Sequence, residues 1–308
     1  MQVGEEPPPG FAIALSARKN PKALLQSDAQ KTIVRCVEAL AMQDWNAALN
    51  QFPCHPESTV WVDMKGSATE PRLLVKHALW ALRALYDTWE FNLKHYEETN
   101  IQILNPERKL LGVGQFYLSA GPSTDTSQTL GQAAGSAQLV GRDAANPDGL
   151  VLAAVNDPKE RINIKWGFYA STEKICNAGM FTRIVIGTLI ILAEKPANAP
   201  FEGDVGYYAP AEISMLVAPS NRGQQETGEL NVGFAIRALV LVSETMATYK
   251  QPVTDRYRAF HNKISLNGIY LMRSAMYKGK ILPPGLATDD EDSPVDVVRR
   301  RRRREAEA

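Results

Sequence analysis

The second half of this chain repeats the first. Val75 to Leu82, running on through Leu85 to Thr88, lines up with Val232 to Leu239, which runs on through Val242 to Thr245. Each half then closes on a similar stretch, Gly114 to Ala120 against Ile269 to Ala275, and Pro56 and Pro210 precede matching third elements. Matching positions lie 154 to 157 residues apart. Self-similarity at a fixed spacing makes the repeating unit a supersecondary structure of its own, so the chain is to be read as two copies of one unit.

Within the first copy, Phe11 to Leu15 alternates as a strand, and a helix is expected from about Ser27, with Ser27 and Gln30 spaced as a capping box. Ser58 to Met64 alternates again. Pro71 to Phe91 carries Leu74, Ala78, Ala81, Leu82 and Leu85 on one helical face. Thr99 to Leu104 and Leu111 to Ser119 flank Asn105-Pro106-Glu107-Arg108, which reads as a hairpin. The second copy has the same order: a strand at Ile162 to Tyr169, an apolar helix at Gly179 to Glu194, a strand at Glu212 to Val217, a helix near Glu229 to Tyr249, and a hairpin from Tyr257 to Ser265 and Gly268 to Ala275.

The expected fold class is therefore α+β: two tandem pseudo-repeats, each β-α-β-α-β-β, with a mostly antiparallel sheet and both helices on one face. The expected divisions are residues 1–120 and 150–285 for the repeats and 121–149 for a flexible linker, poor in large apolar residues. Residues 286–308 are expected to be a disordered tail, acidic and then arginine-rich.

Of 308 residues, 44% are hydrophobic and 22% charged, and 34 Lys and Arg balance 34 Asp and Glu. A body with no net charge has no bulk field to draw it onto nucleic acid or lipid. The run Ile184 to Ala193 is about half the ~20 apolar residues a membrane span needs, so it reads as a buried helix and no membrane partner is expected. Cys36, Cys54 and Cys176 show neither Cys-x-x-Cys nor zinc spacing and are read as reduced thiols. Met1 to Pro9 is acidic and proline-rich, unlike a signal peptide. The expected location is cytosolic or nuclear rather than secreted.

No catalytic motif, cofactor motif or metal-ligand spacing is present, so catalytic residues stay unassigned. The feature with a partner class attached is the run Arg299, Arg300, Arg301, Arg302, Arg303 and Arg304, which follows Asp289-Asp290-Glu291-Asp292. Such runs serve as import signals or as phosphate-binding arms. A phosphate on Ser293, before Pro294, would compete for those arginines.

Weaker candidates each have a plainer reading. Pro219-Ser220-Asn221-Arg222-Gly223 leads to a helix and could hold an anion, but it lacks the phosphate-loop pattern and reads first as a strand-to-helix loop. Cys54 and His55 adjoin, as a thiol–imidazole pair would, yet sequence neighbours rarely face each other. His77 stands where the second copy has Phe234, which argues for packing; His95 and His261 are scattered. Trp61, Trp80, Trp89 and Trp166 are read as core or interface anchors, and Tyr207-Tyr208 as the aromatic pair most exposed in a loop.

The helix Leu73 to Tyr86, the stretch Arg108-Lys109-Leu110-Leu111-Gly112-Val113-Gly114 and the arginine-rich tail together resemble uncharacterised proteins of filamentous fungi. The resemblance covers about half the chain and brings no activity with it. Two functions follow as expectations. The first is a non-enzymatic binding or scaffolding protein with a protein partner, touching nucleic acid through the tail only. The alternative is an enzyme or small-molecule binder with its pocket between the repeats.

Overall fold

A computed structural model describes residues 4–56, 58–119, 152–156, 162–168, 174–208, 212–220, 230–248 and 257–279. The linker and tail assigned from sequence lie outside the described residues. The first half runs β1 (Ala12–Ala17), α1 (Gln26–Ala41), β2 (Gln51–Cys54), β3 (Val60–Gly66), α2 (Val75–Asp87), a π-helical turn (Thr88–Leu93), β4 (Thr99–Leu104) and β5 (Leu110–Leu118). The second runs β6 (Leu152–Asn156), β7 (Ile162–Phe168), α3 (Ala178–Ala193), β8 (Val205–Tyr208), β9 (Ile213–Pro219), α4 (Val232–Thr248), β10 (Phe260–Leu266) and β11 (Ile269–Lys278).

Each half builds one antiparallel sheet, in the order β1-β4-β5-β3-β2 and β6-β7-β10-β11-β9-β8. Set aside the outermost β6 and the two orders are the same. The α+β class and the pair of similar sheet units are as the sequence led us to expect, with an added short edge strand, β2 or β8, in each half.

Hydrogen bonds outside the strands repeat as well. Leu24 N–H donates to Tyr96 O at 2.9 Å, as Ile175 does to Tyr257 at 3.0 Å. Val75 donates to Ala47 O and Val232 to Ala199 O, both at 3.0 Å, while Ser67 to Leu111 and Ser220 to Leu271 are both 2.8 Å. These pairs correct the register of the closing strand. Leu111 corresponds to Leu271, 160 positions on, so Gly114 to Ala120 does not match Ile269 to Ala275. The second half has four more residues between its second helix and its closing hairpin, and the spacing steps up there.

Alternation explains the sheets. Val60, Val62 and Met64 of β3 point to the core beside Ile101, Ile103 and Phe116, all essentially inaccessible, while Trp61, Asp63 and Lys65 face outward. The helices lie on the inner faces, where α3 packs against α1 and α2 of the first half as well as α4 and its own sheet. A helix enclosed on all sides has to be apolar all round. Thirteen of the sixteen residues of α3 are buried, which agrees with the buried-helix reading of Ile184 to Ala193. Among the described residues, no helix is long and apolar enough to cross a membrane.

Charges cross this seam in pairs. Arg35 of α1 grips Glu244 of α4 through two hydrogen bonds of 2.7 Å. Arg183 of α3 faces Asp87 of α2 at 3.0 Å and lies over the Phe91 ring. Tyr86 O–H donates to Gly179 O at 2.8 Å. A Cβ at Gly179 would collide with the Glu90 carboxylate, which itself accepts from Gln26 and Tyr96. A larger residue there would have to displace the Glu90 side chain from these bonds.

Two local expectations are overturned. α1 begins at Gln26 with Leu25 at its N-cap and no side-chain cap, so the Ser27–Gln30 capping box does not form. Cys36 and Cys54 are joined in a disulfide, Cα to Cα 5.7 Å, and only Cys176 is free. Cys36 points inward from α1 and Cys54 inward from β2, and their spacing falls within the range a disulfide spans. The cysteines therefore give no argument for a reducing compartment.

Candidate functional site

Most side chains singled out by sequence are in structural use. Cys54 cannot pair with His55 as thiol and imidazole, because its sulfur is bonded to Cys36 on the core side of β2. Cys176 is buried against Met276 and Tyr257, and burial pushes its thiol up to about 12. His77 accepts at Nδ1 from the Leu74 N–H at 3.2 Å, closing the first turn of α2. Burial, helped by the neighbouring Lys76, lowers its pKa to about 4, so the ring stays neutral and keeps that lone pair.

His95 Nε2 sits 3.7 Å from Glu97 at the surface, and His261 lies against Gly167 on the outer face of the second sheet. Ser220 spends its N–H on Leu271 O and its hydroxyl on Tyr270 O, so the start of the suspected anion loop is a strand anchor; 221–223 lie outside the described residues. So do Arg299 to Arg304. Trp80, Trp89 and Trp166 are buried as expected. Tyr207 is not exposed in a loop. It sits in edge strand β8 at 8% accessibility, beneath the Arg83 guanidinium and accepting from it at 3.0 Å.

The arrangement that sequence reasoning missed is on the outer face of the first sheet. Asp63 of β3 uses both carboxylate oxygens, one toward His55 Nε2 at 2.9 Å and the other accepting from Tyr117 O–H at 2.5 Å. His55 stacks on Trp61 with centroids 4.4 Å apart, Trp61 meets the Tyr117 ring edge-on, and the Arg18 guanidinium covers Tyr117. Burial and the hydrogen bond to Asp63 push the Tyr117 hydroxyl up to about 12. The contributing residues come from β3, β5 and the chain just after β1 and β2, so no local spacing could have revealed them.

A carboxylate oxygen only accepts, so Nε2 is the ring nitrogen that donates to Asp63. An oriented imidazole can move a proton, while stacked Trp, Tyr and Arg side chains suit recognition. Among the described residues, no group of three His, Cys, Asp or Glu is placed to hold a metal ion.

No protein-family model matches the chain, and no curated protein matches it. A solved structure of a conserved protein of unknown function with hot dog fold, from Alicyclobacillus acidocaldarius, aligns over 87% of this chain and 97% of its own. The identity is 7% and the TM-score 0.12, a likeness too slight to carry an argument.

Proposed function

We propose that the chain is a non-enzymatic binding or scaffolding protein with a protein partner, and that Arg299 to Arg304 serve nuclear import or nucleic-acid contact. The observation that supports the reading is the structural use of most of its reactive groups, the open His55–Asp63 pair excepted. Cys36 and Cys54 are bonded together, Cys176 is buried, and His77 caps a helix. The alternative, an enzyme or small-molecule binder with a pocket between the repeats, needs polar groups left open there. Among the described residues, three pairs that meet at the seam are instead engaged with each other, Arg35 with Glu244, Arg183 with Asp87 and Tyr86 with Gly179.

The whole chain carries no net charge to hold nucleic acid, so such contact belongs to the tail, where each arginine can release a counterion. Deleting Pro294 to Ala308 should leave far-UV circular dichroism and melting unchanged. It should also move a tagged protein out of the nucleus, or abolish salt-sensitive retention on RNA and DNA. Identical localisation and retention for the two chains would overturn the role given to the tail.

A further inference from the structure

The first described residues form a strap across the seam. Gly4 lies against Ile191 and Glu194 of α3, and the Glu5 N–H donates to the Glu194 carboxylate. The Glu5 carboxylate accepts from Trp45 Nε1 at 3.0 Å and sits 3.5 Å from Lys76 Nζ. Glu6 lies 3.8 Å from Arg83, and after Pro7, Pro8 and Pro9 the Phe11 ring meets Trp80 edge-on and stacks on His77. Pro7 and Pro8 hold the start of the stretch extended, and Pro9-Gly10 then turn it, Phe11 N–H donating to Pro8 O at 3.0 Å.

Beneath it is a groove of definite chemistry. Trp45 and Trp80 meet edge to face at its floor, only 7% and 3% exposed. Lys76 reaches over Trp80, Arg83 stands about two turns further along the same helix, and Ile191 closes the far side. Trp80 Nε1 is buried and, among the described residues, has no hydrogen-bond partner. The strap is held lightly by comparison. The Glu5 and Glu6 side chains are 49% and 68% exposed, and ion pairs that open to solvent contribute about 1 kcal/mol or less.

We propose that this groove is a binding site for an acidic, proline-containing peptide segment of a partner protein, and that the chain's own residues 4–11 occupy it in cis. Charge complementarity selects the ligand: two cations flank an aromatic floor, and the seated segment supplies two carboxylates and a run of prolines. Extended proline-rich segments bind aromatic grooves because little chain entropy is left to lose. The tethered strap competes at an effective concentration on the order of millimolar, so a partner binds strongly only when the strap is loosened. This deepens the binding-protein reading and names its partner class.

The test uses the full chain and a fluorescein-labelled peptide of residues 3–11, read by anisotropy. Two variants loosen the strap by different means. Glu5→Gln with Glu6→Gln removes its charges, and Gly4→Val drives a side chain into Glu194 and Ile191, where even a Cβ would come within 2.7 Å. Both should bind the peptide about tenfold more tightly than the wild type. Lys76→Glu in either background should abolish that gain, and a peptide with both glutamates replaced by glutamine should bind at most weakly. Equal binding by wild type and both variants would overturn the proposal, as would equal binding of the neutral peptide or indifference to Lys76→Glu. Near-UV circular dichroism and melting of each variant establish that the fold is kept. Failure here removes the groove alone, whereas failure of the tail deletion bears on the arginine run.

Discussion

Where the first sheet carries Asp63, the second carries Leu216; Trp61 corresponds to Ser214, Gln115 to Ala275 and Tyr117 to Tyr277. On one outer face this gives an open polar and aromatic cluster, with the Asp63 side chain 43% exposed. On the other, Leu216, Ala218, Ala275 and Tyr277 are all buried, and β9 is buried at all seven positions. Most inward-facing positions are apolar in both halves, the exception being Asn262 and Ser274, hydrogen-bonded to each other at 2.8 Å where the first sheet has Ile101 and Gly114. The outward-facing positions differ in character between the two halves.

The helix starts differ in the same way. In α4, Asn231 accepts from the Phe234 N–H at 2.8 Å, the ordinary N-cap bond. In α2 the matching N-cap is Leu74, with no acceptor, and His77 at the Phe234 position reaches back to the Leu74 N–H. The two halves use opposite arms of one capping box. One arm titrates and the other does not.

If the halves share one core, they should fail alike. Ala81 and Ala238 are both fully buried in the matching helices. Ala81→Arg and Ala238→Arg should each cost several kcal/mol, about 3–5, from burying an unpaired charge; denaturant melts that left either variant unchanged would break the helix correspondence.

The disulfide should separate the halves. Cys36 and Cys54 correspond to Thr188 and Tyr207, so the second half has no counterpart. Closing an 18-residue separation contributes about 3 kcal/mol by chain entropy. Cys36→Ser with Cys54→Ser should lower stability by about that amount, with hydrogen exchange accelerated first around α1 and β2.

The caps come next in size. Asn231→Ala should cost about 1 kcal/mol at any pH from 4 to 8. The His77 pKa is lowered from its ordinary 6.5 to about 4, so its contribution is present above 6.5 and is lost as pH falls through 4. His77→Gln keeps a side-chain acceptor that cannot titrate. Relative to wild type it should gain about 1–2 kcal/mol between pH 7 and pH 4, the shift being discounted for the ring's partial exposure; parallel pH profiles would contradict the cap.

The smallest effect is at the outer face. Asp63→Asn should lower the Tyr117 hydroxyl from about 12 partway toward its ordinary 10 in a phenolate titration, since burial remains after the carboxylate charge is gone. No change would mean that Asp63 does not hold Tyr117.

What could be read from sequence followed from periodicity. β3 and α2 announce themselves through alternation and an apolar stripe, and α3 through an unbroken apolar run. Edge strands β2 and β8, four residues each, are too short to show a period, which is why Tyr207 reads from sequence as a loop residue. The pairing of Cys36 with Cys54 depends on α1 crossing β2, which composition does not encode. The Asp63 cluster joins side chains from separate strands, and its members become neighbours only through register.

The central claim is that two copies of one fold are joined through their helices, α3 being enclosed by both. A protease site engineered between residues 130 and 140, cut in the native protein, tests it most directly. The two fragments should remain together on size exclusion and melt in a single transition, because parting would expose the apolar face α3 turns to α1 and α2. Fragments that separate as independently folded monomers, each with its own transition, would contradict the shared helical core.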